Sequence, residues 1–371
     1  MENEFEQTML AGRRPDQTLV PDTIGHYLVV LQGAEPGKLI EITAEPITIG
    51  RDAQQTLVFQ DAELSRRHAR VCLAAGEAVI EDLRSTNGTF VEGERISTPV
   101  TLAQGHVIRI GSQVFRYERR SRRDAERAEE LDRDLLRASN YVLSLLPARL
   151  ETGPVLAEWR FVPSTQLGGD AFGYYWLNPE TFVFYLVDVS GHGAGSAMHS
   201  VSVLNVLRQR ALPDVDFNDP ARVLASLNAR FQMDDHHGLF LTMWYGVYNT
   251  SDRTLVCGSA GHHPAYLVPA DRAEAQPLGE SALMIGVMRD TTFPVQRTTI
   301  PRGSTLYLFS DGVFEIETGD DQRWTREDFL PLLQAPIAPN READRIYEAV
   351  KQAARPGPLD DDFSLLVLNF P

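Results

Sequence analysis

The feature that most constrains this chain is residues 119–147, a charged segment without glycine whose first proline is its last residue. The rest of the chain is rich in both breakers, since all 27 glycines lie elsewhere. Such a segment is typical of one long helix, and 371 residues exceed what a single core usually holds. We therefore predict two domains, residues 23–118 and 148–371, joined by a helical linker over residues 119–147 and preceded by a flexible tail over residues 1–22.

The linker carries a regular apolar stripe. Its members recur at alternating spacings of three and four residues: Ala128, Leu131, Leu135, Ala138, Val142 and Leu145. This is the a/d pattern of a coiled coil, although it extends over fewer than three full heptads. Two interpretations stay open, namely a helix that packs on its own domain and a helix that forms a homodimer through residues 128–145.

Composition excludes several classes of protein. A net charge of −16 argues against a nucleic-acid partner, which favours basic surfaces. The most apolar windows, such as FVFYLV, are too short to span a bilayer, and the opening MENEFEQT is unlike a signal peptide. The two cysteines, Cys72 and Cys257, fit neither a disulfide framework nor a zinc site. We expect a cytoplasmic protein without a membrane or nucleic-acid partner.

The first domain shows short β-type runs separated by turn residues at roughly regular intervals from residue 27 to residue 117. That spacing predicts an all-β sandwich. Three of its loops carry polar side chains that a plain sandwich does not need. They are IGRD at residues 49–52, LSRRHAR at residues 64–70 and RSTNGTF at residues 84–90.

These loops contain the groups that a phosphate binder needs. Arg51 and Arg66 offer forked cationic donors, and Ser65 offers a hydroxyl. Asn87 suits a peptide main chain, although Asn-Gly is also a common hairpin turn. In this order the loops closely resemble the forkhead-associated (FHA) domain, a β-sandwich that binds phosphothreonine peptides. The resemblance implies phosphate contacts from Arg51, Ser65 and Arg66 and a peptide contact from Asn87.

The second domain mixes strand patterns with helical patterns that do not alternate one-for-one, which predicts an α+β fold with packed antiparallel sheets. Four aspartates stand at strand edges or in glycine turns: Asp170, Asp188, Asp311 and Asp361. Each alone is typical of an ordinary turn. Together they would form an all-oxygen site for Mg²⁺ or Mn²⁺. The loop DVSGHGAG after the Asp188 strand lacks the spacing of nucleotide-binding motifs.

Six motifs then identify a second resemblance. LGGDAFG, YLVDVSGHGAG, LFLTMWYGVYN, GSAGHHPAYLV, LYLFSDGVFE and DDFSLLVLNF occur in this order. They resemble the metal-dependent serine/threonine phosphatases of the PP2C superfamily, in particular the bacterial stage II sporulation and stress-response branch. The resemblance implies a β-sandwich flanked by helices, and an enzyme that dephosphorylates anti-sigma-factor antagonists.

The resemblance also assigns roles in catalysis and metal binding. It implies metal ligands at Asp170, Asp188, Asp311 and Asp361, with Asp188 bridging two ions and the Val189 backbone carbonyl completing one shell. Asp362 is the alternative to Asp361. Catalysis would run through a water activated by the two cations, Mn²⁺ or Mg²⁺.

His192 is the nearest candidate for a general acid. The acid histidine of the eukaryotic members aligns with Ser190, and the bacterial branch often has lysine where this chain has His192. We therefore interpret His192 first as a loop or substrate-contact residue and second as an acid.

The sequence thus predicts a phosphoprotein phosphatase with an attached phosphothreonine reader. The alternative is an adaptor whose second domain is catalytically silent; the complete aspartate set counts against it. A further hypothesis concerns Thr8 and Thr18, which stand in similar contexts in the tail. If phosphorylated, either would be able to occupy the chain's own Arg51/Ser65 site.

Overall fold

The computed structural model describes residues 23–371, apart from residues 34–36, 281, 320–321, 337–340 and 356. The predicted tail, with Thr8 and Thr18, lies outside the described residues. The chain forms two compact units, and the boundary between them falls between Arg133 and Asp134.

The first unit is a sandwich of two β-sheets. Its strands are β1 (Ile24–Gln32), β2 (Leu39–Ile42), β3 (Ile47–Gly50), β4 (Leu57–Val58), β5 (Ala69–Ala74), β6 (Glu77–Asp82), β7 (Thr89–Val91), β8 (Glu94–Arg95), β9 (Val100–Thr101), β10 (Val107–Ile110) and β11 (Gln113–Ser121). One sheet has the order β2-β1-β11-β10-β7-β8 and the other β4-β3-β5-β6-β9. Apolar side chains of both sheets, among them Val71 and Phe115, form one buried core. The predicted all-β sandwich is confirmed.

Helix α1 (Arg122–Leu145) follows directly on β11. Residues 119–121, which the sequence placed in the helical linker, are instead the end of β11, where Ser121 pairs with Ile24. Their charged sequence is typical of the start of a helix, but backbone pairing with β1 makes them part of a strand. Of the predicted stripe, Leu131 is 60% exposed, whereas Leu145 packs against a core of the second unit.

The second unit also contains two β-sheets, each with five strands. Its strands are β12 (Leu156–Val162), β13 (Ala171–Asn178), β14 (Thr181–Val189), β15 (Leu241–Asn249), β16 (Thr254–Ala260), β17 (Ala265–Val268), β18 (Gln276–Leu278), β19 (Val295–Thr299), β20 (Ser304–Phe309) and β21 (Phe363–Phe370). One sheet has the order β13-β14-β15-β16-β19 and the other β12-β21-β20-β17-β18. All pairings in both sheets are antiparallel.

Helices cover the outer faces of this sandwich. They are α2 (Ala194–Arg208), α3 (Pro220–Arg230), α4 (Arg326–Gln334) and α5 (Glu342–Ala353). Alternate side chains of β14 point to opposite faces of its sheet. Phe184 lies in the core between the sheets, whereas Tyr185 packs with α2 and α3. On the other sheet, Phe309 packs in a core with α4 and α5. Because both faces are covered, the central strands are apolar throughout, which explains why FVFYLV does not alternate. The predicted helix-flanked β-sandwich is confirmed.

Candidate functional site

The first candidate site lies in three loops of the first unit, which backbone hydrogen bonds tie together. The amides of Arg51 and Asp52 donate to the carbonyls of Ser65 and Arg66 at 3.1 and 3.2 Å. This approach requires glycine at position 50, because a Cβ on Gly50 would lie 2.3 Å from the Arg66 carbonyl oxygen. The arginine side chains at 51 and 66 are exposed, so their guanidinium groups are presented on a fixed backbone.

Buried His68 connects the second loop to the third. Its Nδ1 accepts from the Ser65 amide at 3.2 Å, and its Nε2 faces the Gly88 carbonyl at 3.1 Å, so the ring proton belongs on Nε2. The Thr86 amide donates to the Ser65 hydroxyl oxygen at 2.9 Å. Ser65 is therefore held in place, with its side chain partly open to solvent. Thr86 is not among the predicted site residues, and its only signal is its place in the RSTNGTF loop.

The turn that carries Asn87 is built on one carboxylate. Asp82 accepts from the Ser85 amide at 2.9 Å, from the Ser85 hydroxyl at 2.6 Å and from the Thr89 hydroxyl at 2.8 Å. Burial raises the pKa of Asp82, but these hydrogen bonds outweigh it and hold the pKa below its usual range. The Asn87 amide nitrogen donates to the Glu63 carbonyl at 2.8 Å, which joins the turn to the second loop. The structure thus brings Arg51, Ser65, Arg66 and Asn87 onto one connected set of loops.

The second candidate site lies in the second unit, at strand ends of both sheets. Asp170 directly precedes β13, and Asp188 is the penultimate residue of β14, paired with Thr242. Asp311 follows β20 by two residues, and Asp361 precedes β21 by two. Four aspartates widely separated in sequence therefore stand at strand ends of one sandwich.

Their electrostatics show that they share one environment. Burial, and then the charges of Asp311 and Asp361, raise the pKa of Asp188 to about 8. Burial and the charge of Asp361 raise the pKa of Asp311 to about 6. Burial and the charge of Asp188 raise the pKa of Asp170 well above its usual value. One oxygen of Asp170, Oδ2, is buried without a hydrogen-bond partner among the described residues. Such unsatisfied, mutually repelling carboxylates are what a cation would relieve.

The loop before β13 leaves a backbone carbonyl accessible. A Cβ on Gly169 would lie 2.9 Å from the Val189 carbonyl oxygen, so glycine keeps the space in front of that oxygen free of side chains. Within the described part of the chain, no three His, Cys, Asp or Glu side chains converge closely enough to form a ready-made metal cage. The repulsion between carboxylates opposes such convergence. The donor set nevertheless fits hard divalent cations, because every candidate ligand is an oxygen.

Asp361 and Asp362 have different surroundings. Asp362 is buried, and its carboxylate accepts from the Ser164 amide at 2.8 Å and from the Gly169 amide at 2.6 Å. Asp361 is exposed on the side of the other carboxylates; desolvation and the charge of Asp362 raise its pKa, whereas the charge of His192 opposes that rise. His192 is also exposed, and its effect on the pKa of Asp361 indicates that the two side chains lie in the same region. The Asp362 network connects residues about two hundred positions apart, and nothing in the sequence signals it.

A cavity of about 500 Å³ opens beside Asp188 and Asp311. Its lining also includes His262, His263, Glu315, Arg323, Trp324 and Arg326. His262 is buried, with Nε2 facing the Phe309 carbonyl at 3.0 Å and Nδ1 facing the Thr242 hydroxyl at 2.8 Å. Burial and the neighbouring His263 hold the pKa of His262 well below its usual value, so this ring stays neutral.

The fold and the two loop sets define a domain of the stage II sporulation protein E type combined with an FHA domain. The family model of stage II sporulation protein E matches residues 178–371, and the FHA domain model matches residues 47–111. The chain belongs to the stage II sporulation protein E family and carries an FHA domain. The family match begins after Asp170.

Individual relatives agree with this assignment. Phosphoserine phosphatase RsbU of Bacillus subtilis is 26% identical over 210 residues, which cover 56% of this chain and 61% of RsbU. FHA domain-containing protein FhaB of Mycobacterium tuberculosis is 42% identical over 85 residues, covering 23% of this chain and 55% of FhaB. The chain thus spans less than two thirds of either relative's own length.

A solved structure shows the same fold. The SiaA-PP2C domain of Pseudomonas aeruginosa superposes with a TM-score of 0.58 at 20% identity, covering 67% of this chain and 99% of that domain. Among the described residues, no helix has the length and apolar character needed to cross a membrane.

Proposed function

We propose that this protein is a divalent-cation-dependent phosphatase of phosphoserine or phosphothreonine proteins, whose FHA domain binds a phosphothreonine-containing protein. The observation that carries the proposal is the group of four aspartates, three of them with pKa values raised by burial and by one another's charge. A fold that only bound phosphopeptides would have no use for such costly carboxylates. The partial match to phosphoserine phosphatase RsbU supports the same activity.

Two cations, Mn²⁺ or Mg²⁺, would be held by Asp170, Asp188, Asp311 and Asp361, with the Val189 carbonyl as an additional ligand. When bound, they supply positive charge to the phosphoryl group and lower the pKa of water. We favour Asp361 over Asp362 because the Asp362 oxygens are already engaged by Ser164 and Gly169 amides.

The chain's own residues would orient and shield this centre. Asp362 fixes the glycine loop that precedes Asp170 through the Gly169 amide. Neutral His262 fixes the hydroxyl of Thr242, the residue paired with Asp188. His192, which is exposed, would contact the substrate or, as the second interpretation, hold a proton for the leaving group.

The FHA loops would bind phosphothreonine through Arg51, Ser65 and Arg66, and the peptide main chain through Asn87. We further propose that the substrate is an anti-sigma-factor antagonist and that the protein acts in the cytoplasm as a partner-switching phosphatase.

The test measures both functions on one purified preparation. Hydrolysis of p-nitrophenyl phosphate is followed with Mn²⁺, with Mg²⁺ and with a chelator, and binding of a phosphothreonine peptide is measured by calorimetry. We expect cation-dependent turnover together with saturable peptide binding. Peptide binding without turnover in either cation would contradict the enzyme and favour a silent adaptor.

Helix α1 is proposed as a homodimer contact. The proposed contact is the predicted stripe over residues 128–145, of which Leu131 is 60% exposed; Leu136, Tyr141 and Leu143 are further exposed apolar side chains of this helix outside the stripe. Burying such surface against a second copy is favourable by about 25 cal/mol per Å². We expect Leu131→Glu to lower the mass measured by light scattering from dimer to monomer, whereas Glu130→Gln on the same helix leaves it unchanged. A wild-type monomer at micromolar concentration would contradict this contact.

A further inference from the structure

The cavity beside the aspartates has two arginines, and they differ in their surroundings. Arg323 is 74% exposed and forms an ion pair with Glu315 at 3.7 Å. Arg326 is only partly exposed, and none of the described carboxylates lies within ion-pair distance of it. A partly desolvated guanidinium lining a cavity offers five donors to an incoming anion. Among the described residues that line this cavity, which also include Glu327, Arg326 is therefore the cation without a carboxylate within ion-pair distance.

The position of Arg326 is fixed by its helix. It is the first residue of α4, and the preceding Thr325 is held in a capping box, where its amide and hydroxyl donate to Asp328 at 2.9 and 2.8 Å. Buried Phe329 and Leu333 anchor the rest of α4 in the core. The side chain of Arg326 therefore extends from a rigid element, which suits recognition more than a mobile loop does.

Arg326 lines the same cavity as Asp188 and Asp311 and lies near His263. Its charge lowers the pKa of His263 and of Tyr266, whereas the main causes that raise the pKa of Asp188 and Asp311 are burial and neighbouring carboxylates. Burial is the main cause that lowers the pKa of His263 to about 4, so this neighbour is neutral and does not compete for an anion. If the phosphoryl group of a protein substrate binds at the aspartates, Arg326 would face the substrate residues that flank the phosphorylated residue.

We propose that Arg326 is a specificity-determining residue, which binds an acidic side chain flanking the phosphorylated residue of the protein substrate. This inference rests on the proposed phosphatase function. It names the substrate class more narrowly, as a phosphoprotein with a carboxylate close in sequence or in space to its phosphorylated side chain. A surface ion pair of this kind contributes modestly to affinity and mainly to the choice between substrates.

The experiment uses the full chain and a set of phosphoserine peptides. A single aspartate is moved from three residues before to three residues after the phosphoserine, and an asparagine parent serves as the reference. We compare kcat/KM for wild type, Arg326→Gln and the matched control Arg302→Gln, which removes an exposed positive charge that does not line the cavity. Hydrolysis of p-nitrophenyl phosphate and thermal unfolding report on the centre and on folding.

Wild type and Arg302→Gln should prefer one aspartate position over the parent by about 5- to 10-fold. Arg326→Gln should lose that preference while hydrolysing the parent and p-nitrophenyl phosphate within about twofold of wild type, and Arg326→Lys should keep part of the preference. An equal preference in Arg326→Gln, or none in wild type, would overturn the proposal. So would a parallel loss on p-nitrophenyl phosphate, which would place Arg326 at the phosphoryl group. A wild-type protein inactive on every substrate would instead refute the proposed function, and this inference with it.

Discussion

The FHA loops and the aspartate loops are both built at strand ends, yet their electrostatics are opposite. In the FHA loops, the polar groups that hold the loops are hydrogen-bonded: His68 bonds to Ser65 and Gly88, and the Asp82 carboxylate accepts three hydrogen bonds. In the aspartate loops, Asp170 keeps an unpartnered buried oxygen and Asp188 has a pKa of about 8. On the proposed functions, the site for an anion is complete within the protein itself. The proposed site for cations brings like charges together at a cost that bound cations would remove.

The largest expected effect separates the two regions by function. Asp188→Asn keeps the shape of the side chain but removes the charge at the centre of the aspartate group, so turnover of p-nitrophenyl phosphate should fall by about 10³-fold. Binding of a phosphothreonine peptide should stay within about twofold of wild type, because the FHA loops need no cation. Steady-state kinetics measures the turnover, and calorimetry measures the peptide binding. Turnover retained within tenfold would contradict the proposed role of Asp188.

The converse substitution acts on the FHA loops. Arg51→Ala removes an exposed guanidinium that the backbone bond to Ser65 holds in place, so phosphothreonine-peptide affinity should fall by about 30-fold. Turnover of p-nitrophenyl phosphate should not change. Arg51→Lys serves as the control, because it keeps the positive charge without the forked geometry. Its phosphothreonine-peptide affinity should lie between those of wild type and Arg51→Ala. Calorimetry with matched phosphorylated and unphosphorylated peptides measures the effect. A shared loss of turnover would show that the two regions are not independent.

The smallest expected effect is on the free energy of unfolding, which reports how much the buried aspartates destabilise the cation-free protein. Asp188 has a pKa of about 8 in the folded protein against 3.8 ordinarily, so between these values the folded state retains a proton that the unfolded state releases. The cation-free protein should therefore lose stability as pH rises from about 4 to about 8, by about 1 kcal/mol or more. Urea denaturation with a chelator measures this change.

Two controls sharpen the pH measurement. Asp188→Asn should reduce the pH dependence, because the substituted side chain does not titrate whereas Asp170 and Asp311 still do. Mn²⁺ added at pH 8 to 100 times its dissociation constant should restore about 2.7 kcal/mol. A profile that rises with pH without cations would mean that the aspartates are not destabilising.

Much of the fold could be predicted from local sequence patterns. The β-runs of the first unit predicted a sandwich, and glycine turns beside aspartates indicated where Asp170, Asp188, Asp311 and Asp361 would lie. These features are local, because a strand end or a tight turn is specified by a few neighbouring residues.

Features that depend on distant partners were not predictable. Helix α4 (Arg326–Gln334) was missed, because it is short and contains Pro331. The end of β11 was taken for helix, because only its pairing with β1 makes it a strand. The roles of Asp362 and Arg326 depend on the folded arrangement of loops far apart in the sequence, for which no spacing rule exists.

The bond between the Gly169 amide and the Asp362 carboxylate spans 193 residues, and it has a consequence for the order in which the protein becomes functional during synthesis. A ribosome releases the FHA strands long before it makes β21, which lies between β12 and β20 in its sheet. The FHA loops would therefore be complete in a growing chain that still lacks Asp361 and the carboxylate that secures the glycine loop. On the proposed functions, phosphothreonine recognition would become possible earlier in synthesis than hydrolysis.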